Sequence, residues 1–204
     1  MSHISFFPRI FLLAMFGLFP NLVQAQEIRV DADDAKFDDL ESPEFAGNTG
    51  VKNFRPKDWL EAEVKLKVEA SRRFGKKFLD RLMVKWYVAV KNPDGKGISL
   101  LEKDVTYVNI PIGEDVFASV YLSPGAILRI TGGDRAGKSN VEAVAGEITY
   151  NGQKVGSFNS LGNKEWWRAA SVSRNDSIPL LSKGETPFKF LWWDRYLEEE
   201  PPRR

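Results

Sequence analysis

A strict two-residue alternation over residues 59–70 constrains the fold of this chain more than any other feature. The apolar positions of the pattern are Leu60, Ala62, Val64, Leu66, Val68 and Ala70. The charged positions between them are Glu61, Glu63, Lys65, Lys67 and Glu69. Such alternation places one face of a β-strand in a core and the other in water. Because buried parallel sheets have unbroken apolar runs instead, the pattern favours antiparallel sheets.

Further strand-like runs separated by turns predict an all-β fold. These runs are 28–30, 82–90, 105–110, 116–122, 127–131, 141–150, 153–158 and 188–193. Asn151-Gly152 predicts a type I′ hairpin turn, which needs φ > 0 at both positions. Only 73–82 and 164–170 resemble short helical turns. We expect an antiparallel β-sandwich of about nine strands, immunoglobulin-like, with Trp86 buried on a central strand.

The first 25 residues have the pattern of a secretory signal peptide. Arg9 supplies the positive charge, residues 10–19 form a run of ten apolar or glycine residues, and small residues precede a cleavage point after Ala25. That run is too short to span a bilayer of roughly 30 Å, and no second run is long enough. We expect an exported chain, periplasmic, outer-membrane-associated or extracellular, with one domain over 26–197 and a disordered tail over 198–204.

The exported part would contain neither histidine nor cysteine, because the chain has no cysteine and its single histidine is His3. Ser-His-Asp and Cys-His catalytic groups are therefore excluded, as are zinc sites built on imidazole and thiolate. The 28 acidic residues balance the 28 basic residues that remain once Arg9 is removed, which argues against nucleic acid as a partner. We expect a protein that is not an enzyme and that has no cofactor and no metal.

Residues 132–139 match the phosphate-binding pattern G-x-x-x-x-G-K-[ST] through Gly132, Gly137, Lys138 and Ser139. In a nucleotide-binding protein a strand precedes this loop and a helix follows it, because the amides at the helix N-terminus bind the phosphates. Residues 141–150 read as a strand that runs into the Asn-Gly turn. We interpret the match as a decoy within a glycine-rich hairpin loop.

The chain has two adjacent tryptophan pairs, Trp166–Trp167 and Trp192–Trp193. If each pair lies in a strand, its two rings point to opposite faces and cannot share one core. Either loops cover the outer rings, or the rings form an exposed patch that binds a protein or stacks on sugars.

Three groups of charged residues have a structural and a functional interpretation. Glu61 and Glu63 share a strand face and could form the carboxylate pair of a glycosidase. A solvated charged face is favoured, because it also explains Lys65 and Lys67 on the same face. An acidic segment over 31–44 and a basic cluster over 72–81 are either solvated loops or the two ends of a head-to-tail assembly.

Several phrases resemble a known family. They are Glu27-Ile28-Arg29-Val30-Asp31, Ala35-Lys36-Phe37-Asp38-Asp39-Leu40, Phe54-Arg55-Pro56-Lys57-Asp58-Trp59-Leu60-Glu61, Lys85-Trp86-Tyr87 and Glu185-Thr186-Pro187-Phe188. The chain resembles secreted pilus-like proteins from type IV pilus gene clusters of verrucomicrobial bacteria. The resemblance implies an immunoglobulin-like sandwich outside the cytoplasm, with a role in or beside a pilus and with protein partners in the cell envelope.

One departure from type IV pilins bears on that role. A pilin shaft is packed from long apolar N-terminal helices, whereas the apolar run here ends at Pro20-Asn21. The sequence therefore favours an accessory, tip or envelope-bound component in assembly or adhesion. A carbohydrate-binding module that uses the paired tryptophans is the alternative, and nucleotide binding at 132–139 is the weaker one.

Overall fold

Eleven strands and one helix occupy the described residues of the computed structural model, which are 27–44, 55–92, 96–132, 138–162 and 165–201. The strands are β1 (Ile28–Ala32), β2 (Lys36–Glu41), β3 (Asp58–Ala70), β4 (Phe78–Lys91), β5 (Ile98–Pro111), β6 (Asp115–Leu122), β7 (Val141–Tyr150), β8 (Gln153–Asn159), β9 (Val172–Arg174), β10 (Leu181–Ser182) and β11 (Glu198–Glu199). The helix is α1 (Pro124–Thr131). The predicted signal peptide lies outside these residues.

The strands form two sheets with an immunoglobulin-like order. The first sheet has the order β1-β3-β6-β10, with β2 also paired to β3, and the second has the order β11-β5-β4-β7-β8, with β9 also paired to β5. In immunoglobulin terms, β1, β3 and β6 correspond to strands A, B and E, and β4, β7 and β8 to strands C, F and G. All pairings between strands are antiparallel except that of β9 with β5. The predicted all-β sandwich is confirmed.

The core lies between the sheets and follows the predicted alternation. In β3, the apolar side chains from Leu60 to Val68 are buried, as the alternation requires. Trp86 is fully buried on the central strand β4, and its ring contacts the edge of Phe158 with the centroids 4.9 Å apart. Gly146 makes room for this contact, because a Cβ atom there would lie 2.3 Å from the Phe158 ring.

The hairpin turn between β7 and β8 is as the sequence predicts. Asn151 has φ of 49° and Gly152 has φ of 78°, so both residues adopt the left-handed conformation of a type I′ turn.

Residues 127–131 are helical, whereas the sequence pattern predicted a strand there. Ser123 caps α1 by accepting a hydrogen bond from the N–H of Ala126, Pro124 occupies the first turn, and Gly132 ends the helix in a left-handed conformation. These cap signals outweigh the β-branched residues of the segment.

Three other predicted elements also differ from the structure. Residues 188–193 do not form a strand, because Thr186-Pro187 begins a 3-10 turn over Pro187–Phe190. The expected helical turn at 73–82 is a tight turn followed by β4. Glu198–Glu199, assigned above to a disordered tail, pairs with β5 as β11. The short turn expected at 164–170 is confirmed as a 3-10 turn over Trp166–Arg168.

The sandwich has two open sides, and each is closed differently. On one side β1 lies directly against β8, so that a Cβ atom on Gly156 would be 2.4 Å from the Val30 carbonyl oxygen. On the other side the chain from β10 to β11 passes from the edge of the first sheet to the edge of the second. No helix in the described ranges is long and apolar enough to cross a membrane.

We expect Gly146→Ala to destabilise the fold by about 1–3 kcal/mol, because the added methyl group displaces the Phe158 ring from Trp86. Urea denaturation measures the change. Gly125→Ala is the control, since the nearest atom to its Cβ would be 3.9 Å away. Equal stabilities for Gly146→Ala and the parent protein would contradict this account of the core.

Candidate functional site: an aromatic surface on the C-terminal segment

Residues 181–201, here called the C-terminal segment, cover part of the outer face of the first sheet. The segment begins at β10, which pairs with β6, and ends beyond β11, which pairs with β5. Between these strands it packs on the outward side chains of β3 and β6. A sheet face that alternation assigns to water is therefore buried where this segment lies.

Phe188 anchors the segment. Its side chain is buried, with a relative exposure of 1%. Its ring stacks on Tyr121 of β6 at 5.3 Å between centroids and contacts Trp59 of β3 edge-on at 5.6 Å. The turn that positions this ring is fixed by Thr186, whose hydroxyl accepts a hydrogen bond from the Phe188 N–H.

Trp192 extends the stack of rings outward from Phe188. The two rings are almost parallel, with centroids 6.2 Å apart. Trp192 has φ of 51°, a left-handed conformation that bulky residues rarely adopt. Such a conformation costs on the order of 1–3 kcal/mol and is characteristically found at functional sites.

Three large rings of the segment are exposed, and we call them the aromatic surface: Phe190, Trp192 and Trp193. Their relative exposures are 65%, 47% and 69%. Isolated exposed apolar residues are ordinary, but three within four residues of a well-anchored turn concentrate large exposed rings on one short segment. Aromatic side chains of this kind are enriched at protein interfaces.

Glu61 of β3 holds the C-terminal segment against the first sheet through hydrogen bonds. It is 5% exposed, although it points to the outer face of β3. Its Oε1 atom accepts a hydrogen bond from the Tyr121 hydroxyl at 2.5 Å and lies 2.9 Å from the Tyr196 hydroxyl. Burial raises the pKa of Glu61, and the hydroxyl groups of Tyr121 and Tyr196 oppose that rise only in part.

The Tyr196 hydroxyl has one proton to donate but lies within hydrogen-bond distance of two carboxyl groups. It lies 2.6 Å from Oε2 of Glu63 as well as 2.9 Å from Glu61. A phenol can donate one hydrogen bond at a time, so the two carboxyl groups share the Tyr196 hydroxyl as their donor. Burial and the nearby charge of Glu63 both raise the pKa of Glu61, so its carboxyl group holds a proton more tightly than an exposed glutamate does.

Glu63 of β3 forms a salt bridge with Arg195 of the C-terminal segment. The Arg195 guanidinium donates from Nη2 to both carboxylate oxygens of Glu63, at 2.7 and 2.9 Å, and covers the Phe117 ring at 3.6 Å. This pairing also raises the pKa of Arg195. Because Glu63 is occupied by Arg195 and Glu61 is buried, the two carboxyl groups serve to attach the segment to the sheet.

Lys183 is a buried cation beneath the aromatic surface, with 7% exposure. Its Nζ donates to the Leu191 carbonyl at 2.7 Å and lies 5.0 Å from the centroid of the Tyr196 ring. Burial lowers the pKa of Lys183, while the negative charges of Glu199 and Glu61 act against that shift.

The two tryptophan pairs do not meet, and neither lies in a strand. Trp166 and Trp167 are half-buried in a 3-10 turn on the outer face of the second sheet, where Trp167 stacks on Tyr87 at 5.0 Å. Trp192 and Trp193 belong to the aromatic surface over the first sheet. The first pair therefore helps to cover a sheet face, and the second pair is presented to solvent.

The elements around residues 132–139 are the reverse of those in a phosphate-binding loop. A helix, α1, precedes the loop, and a short 3-10 turn and the strand β7 follow it. Lys138 forms a salt bridge with Asp38 at 3.0 Å. Gly137 lies outside the described residues, whereas Gly132 ends α1 and Ser139 accepts a hydrogen bond from Lys91 through its carbonyl. The described elements on either side of this loop therefore provide no helix N-terminus for a nucleotide.

The acidic segment over 31–44 forms several pairs within the chain. Asp31 pairs with Arg29 and Asp33 pairs with Lys65, at 2.6 and 3.0 Å. In the basic cluster, Lys76 pairs with Asp80 and Arg81 with Glu200. These pairs agree with the interpretation as solvated charges within one molecule.

Sequence reasoning missed the anchor of the site. It treated Glu61 as one of several solvated charges and did not single out Phe188 or Phe190. Two signals were present: Tyr121 occupies an outward position of β6 opposite Glu61, and Thr186-Pro187 marks the turn that carries Phe188.

Comparison with known proteins identifies the family. A family model matches residues 21–203, nearly the whole chain. A crystal structure of a protein from Akkermansia muciniphila is 36% identical and has a TM-score of 0.78, over 87% of this chain and 95% of that chain. No curated protein matches. The chain belongs to the family that this model describes, a family of pilus-like proteins.

We expect Glu61→Gln to change how stability depends on pH. Because burial raises the pKa of Glu61 above its ordinary value of 4.5, the folded state binds the proton more tightly than the unfolded state. Stability from this group is full below pH 4.5 and is lost as pH rises through the folded pKa. Glutamine has no such loss, so the variant should gain relative to the parent protein as pH rises.

Urea denaturation of both proteins between about pH 4 and pH 8 measures the effect. Glu69→Gln is the matched control, because Glu69 is exposed on the same strand. A Glu61→Gln difference that is constant across this range would contradict a raised pKa for the buried Glu61 carboxyl group.

Proposed function

We propose that this protein is an exported, non-enzymatic component of the cell envelope that acts through protein contact in pilus assembly or adhesion. It would be periplasmic, outer-membrane-associated or extracellular, and its contact site would be the aromatic surface. Membership of a pilus-like family supports the general role, and the early end of the apolar run at Pro20-Asn21 supports an accessory or tip component.

The observation that carries the proposal is the exposure of Phe190, Trp192 and Trp193 on a buried anchor. Exposed aromatic rings provide large contact area, and they bind tightly when little ordering is needed. Phe188 and the Glu61 network supply that order before any partner binds. The left-handed conformation of Trp192 is strained, and strain of this kind is often found at functional sites.

Carbohydrate binding is the second candidate, because an exposed indole ring can stack on a sugar. The observation that favours it is the 69% exposure of Trp193. The two tryptophan pairs lie on opposite sheets, so they cannot form one sugar-binding site together. This weakens the sequence-based hypothesis of a carbohydrate-binding module that uses both pairs.

Site-specific photo-cross-linking in the native cell envelope tests the proposal. A photoreactive phenylalanine analogue replaces Trp193 in one variant and Trp167, on the opposite sheet, in the control. We expect the Trp193 variant to capture pilus subunits or their secretion machinery, identified by mass spectrometry, and the Trp167 variant to capture much less.

Capture of the chain itself or of unrelated envelope proteins alone would refute the proposed function. A glycan array with the parent protein, Trp193→Ala and Trp167→Ala then separates the second candidate. Glycan binding that Trp193→Ala abolishes and Trp167→Ala retains would favour the carbohydrate-binding alternative.

A further inference from the structure

The outer edge of β5 is paired at both ends but not in the middle. β9 pairs with residues 98–100 and β11 pairs with residues 107–108. The inner edge pairs with β4 along nearly the whole strand. Among the described strands, none pairs with residues 101–106 on the outer edge of β5, which leaves a gap there.

Two flanking hydrogen bonds show which backbone groups face this gap. The carbonyl of Leu100 accepts from the N–H of Asn175, and the carbonyl of Thr106 accepts from the N–H of Glu200, at 2.9 and 2.8 Å. Residues two apart in a strand direct their backbone groups to the same side. Glu102 and Asp104 accordingly direct their N–H and C=O groups to the outer edge, where no described strand pairs with them.

A groove of about 890 Å³ lies along part of this edge. Residues 103–106 of β5 form one wall, and Phe190 and Trp193 of the aromatic surface line it as well. An extended chain in the groove can therefore bond to the strand edge and contact the exposed rings. These are the two elements of recognition by strand addition.

The charges of the groove favour a basic occupant. Its carboxylates are Asp104, Glu185, Glu198, Glu199 and Glu200. Its cations are Lys103, Lys183 and Lys189. Glu185 pairs with Lys103 and Glu200 pairs with Arg81, so three carboxylates remain against two lysines. Asp104 is exposed at the unpaired part of the edge.

We propose that this groove binds an extended, basic segment of a partner protein, which adds a short strand to β5 at Glu102 and Asp104 and lays an apolar side chain on Phe190 and Trp193. The proposal rests on the proposed function, since it specifies how a protein partner would be recognised. The gap between β9 and β11 limits the added strand to a few residues, so the rings contribute much of the contact.

A synthetic peptide of alternating valine and lysine, roughly ten residues long, is the probe. Its twin carries a methyl group on every backbone nitrogen and so cannot donate hydrogen bonds. Titration is followed by tryptophan fluorescence, because Trp193 lines the groove. We expect the unmodified peptide to bind at least about tenfold more tightly than its methylated twin.

Two substitutions at Asp104 isolate the backbone contact. The Asp104 N–H points away from β4, so Asp104→Pro removes an edge donor without breaking the bonds to β4. Asp104→Ala removes the same carboxylate but keeps the N–H group. We expect Asp104→Pro to weaken peptide binding at least about tenfold relative to Asp104→Ala. Urea denaturation of both variants checks that they are equally folded.

Several results would overturn the proposal. Equal binding by Asp104→Pro and Asp104→Ala, or equal binding of the two peptides, would exclude strand addition at this edge. Absence of binding would exclude it too. If only a chain that ends at Pro201 binds the peptide, the protein's own last residues are the occupant rather than a partner.

The peptide experiment tests the groove proposal, and the cross-linking experiment tests the proposed function, so each proposal can be refuted without the other. Capture of pilus proteins at Trp193 without peptide binding would overturn the groove proposal and leave the proposed function in place. Peptide binding that needs the Asp104 N–H, without capture of pilus proteins, would refute the proposed function while supporting strand addition.

Discussion

The burial of Glu61 is the constraint on which the candidate site depends. A carboxyl group on the outer face of β3 would ordinarily lie in water, and removing it from water is costly unless its hydrogen bonds are replaced. Tyr121 and Tyr196 replace them, and Tyr196 belongs to the C-terminal segment. The C-terminal segment must therefore stay packed on the sheet for Glu61 to keep its hydrogen bonds. Phe188 adds apolar contact with Tyr121 at the same place.

This attachment explains how a short, irregular segment can present large rings to a partner. A flexible loop with exposed aromatic residues would lose conformational entropy on binding, and that loss would weaken its affinity. Here the loss occurs during folding, when Arg195 pairs with Glu63 and Trp192 stacks on Phe188. The segment also closes one open side of the sandwich, so the same residues complete the fold and form the surface.

The alternation at 59–70, the Asn151-Gly152 turn and the buried Trp86 allowed the sandwich to be predicted, because each reports local periodicity or turn chemistry. The candidate site was less predictable because it depends on contacts between distant residues. Alternation assigned Glu61 correctly to the outer face, but only the return of Tyr196, 135 positions later, buries it. Residues 127–131 and 188–193 were misread because proline and the caps beside them outweighed their strand-like composition.

Hydrogen exchange of the C-terminal segment tests most directly whether it is a fixed part of the domain. The amides of Leu191, Arg195 and Leu197 donate to the carbonyls of Phe188, Trp192 and Phe117 respectively. If the Glu61 network and Phe188 hold the segment in place, these amides should exchange slowly, at rates approaching those of the central strand β4. Exchange as fast as that of an unfolded peptide would contradict a preformed aromatic surface.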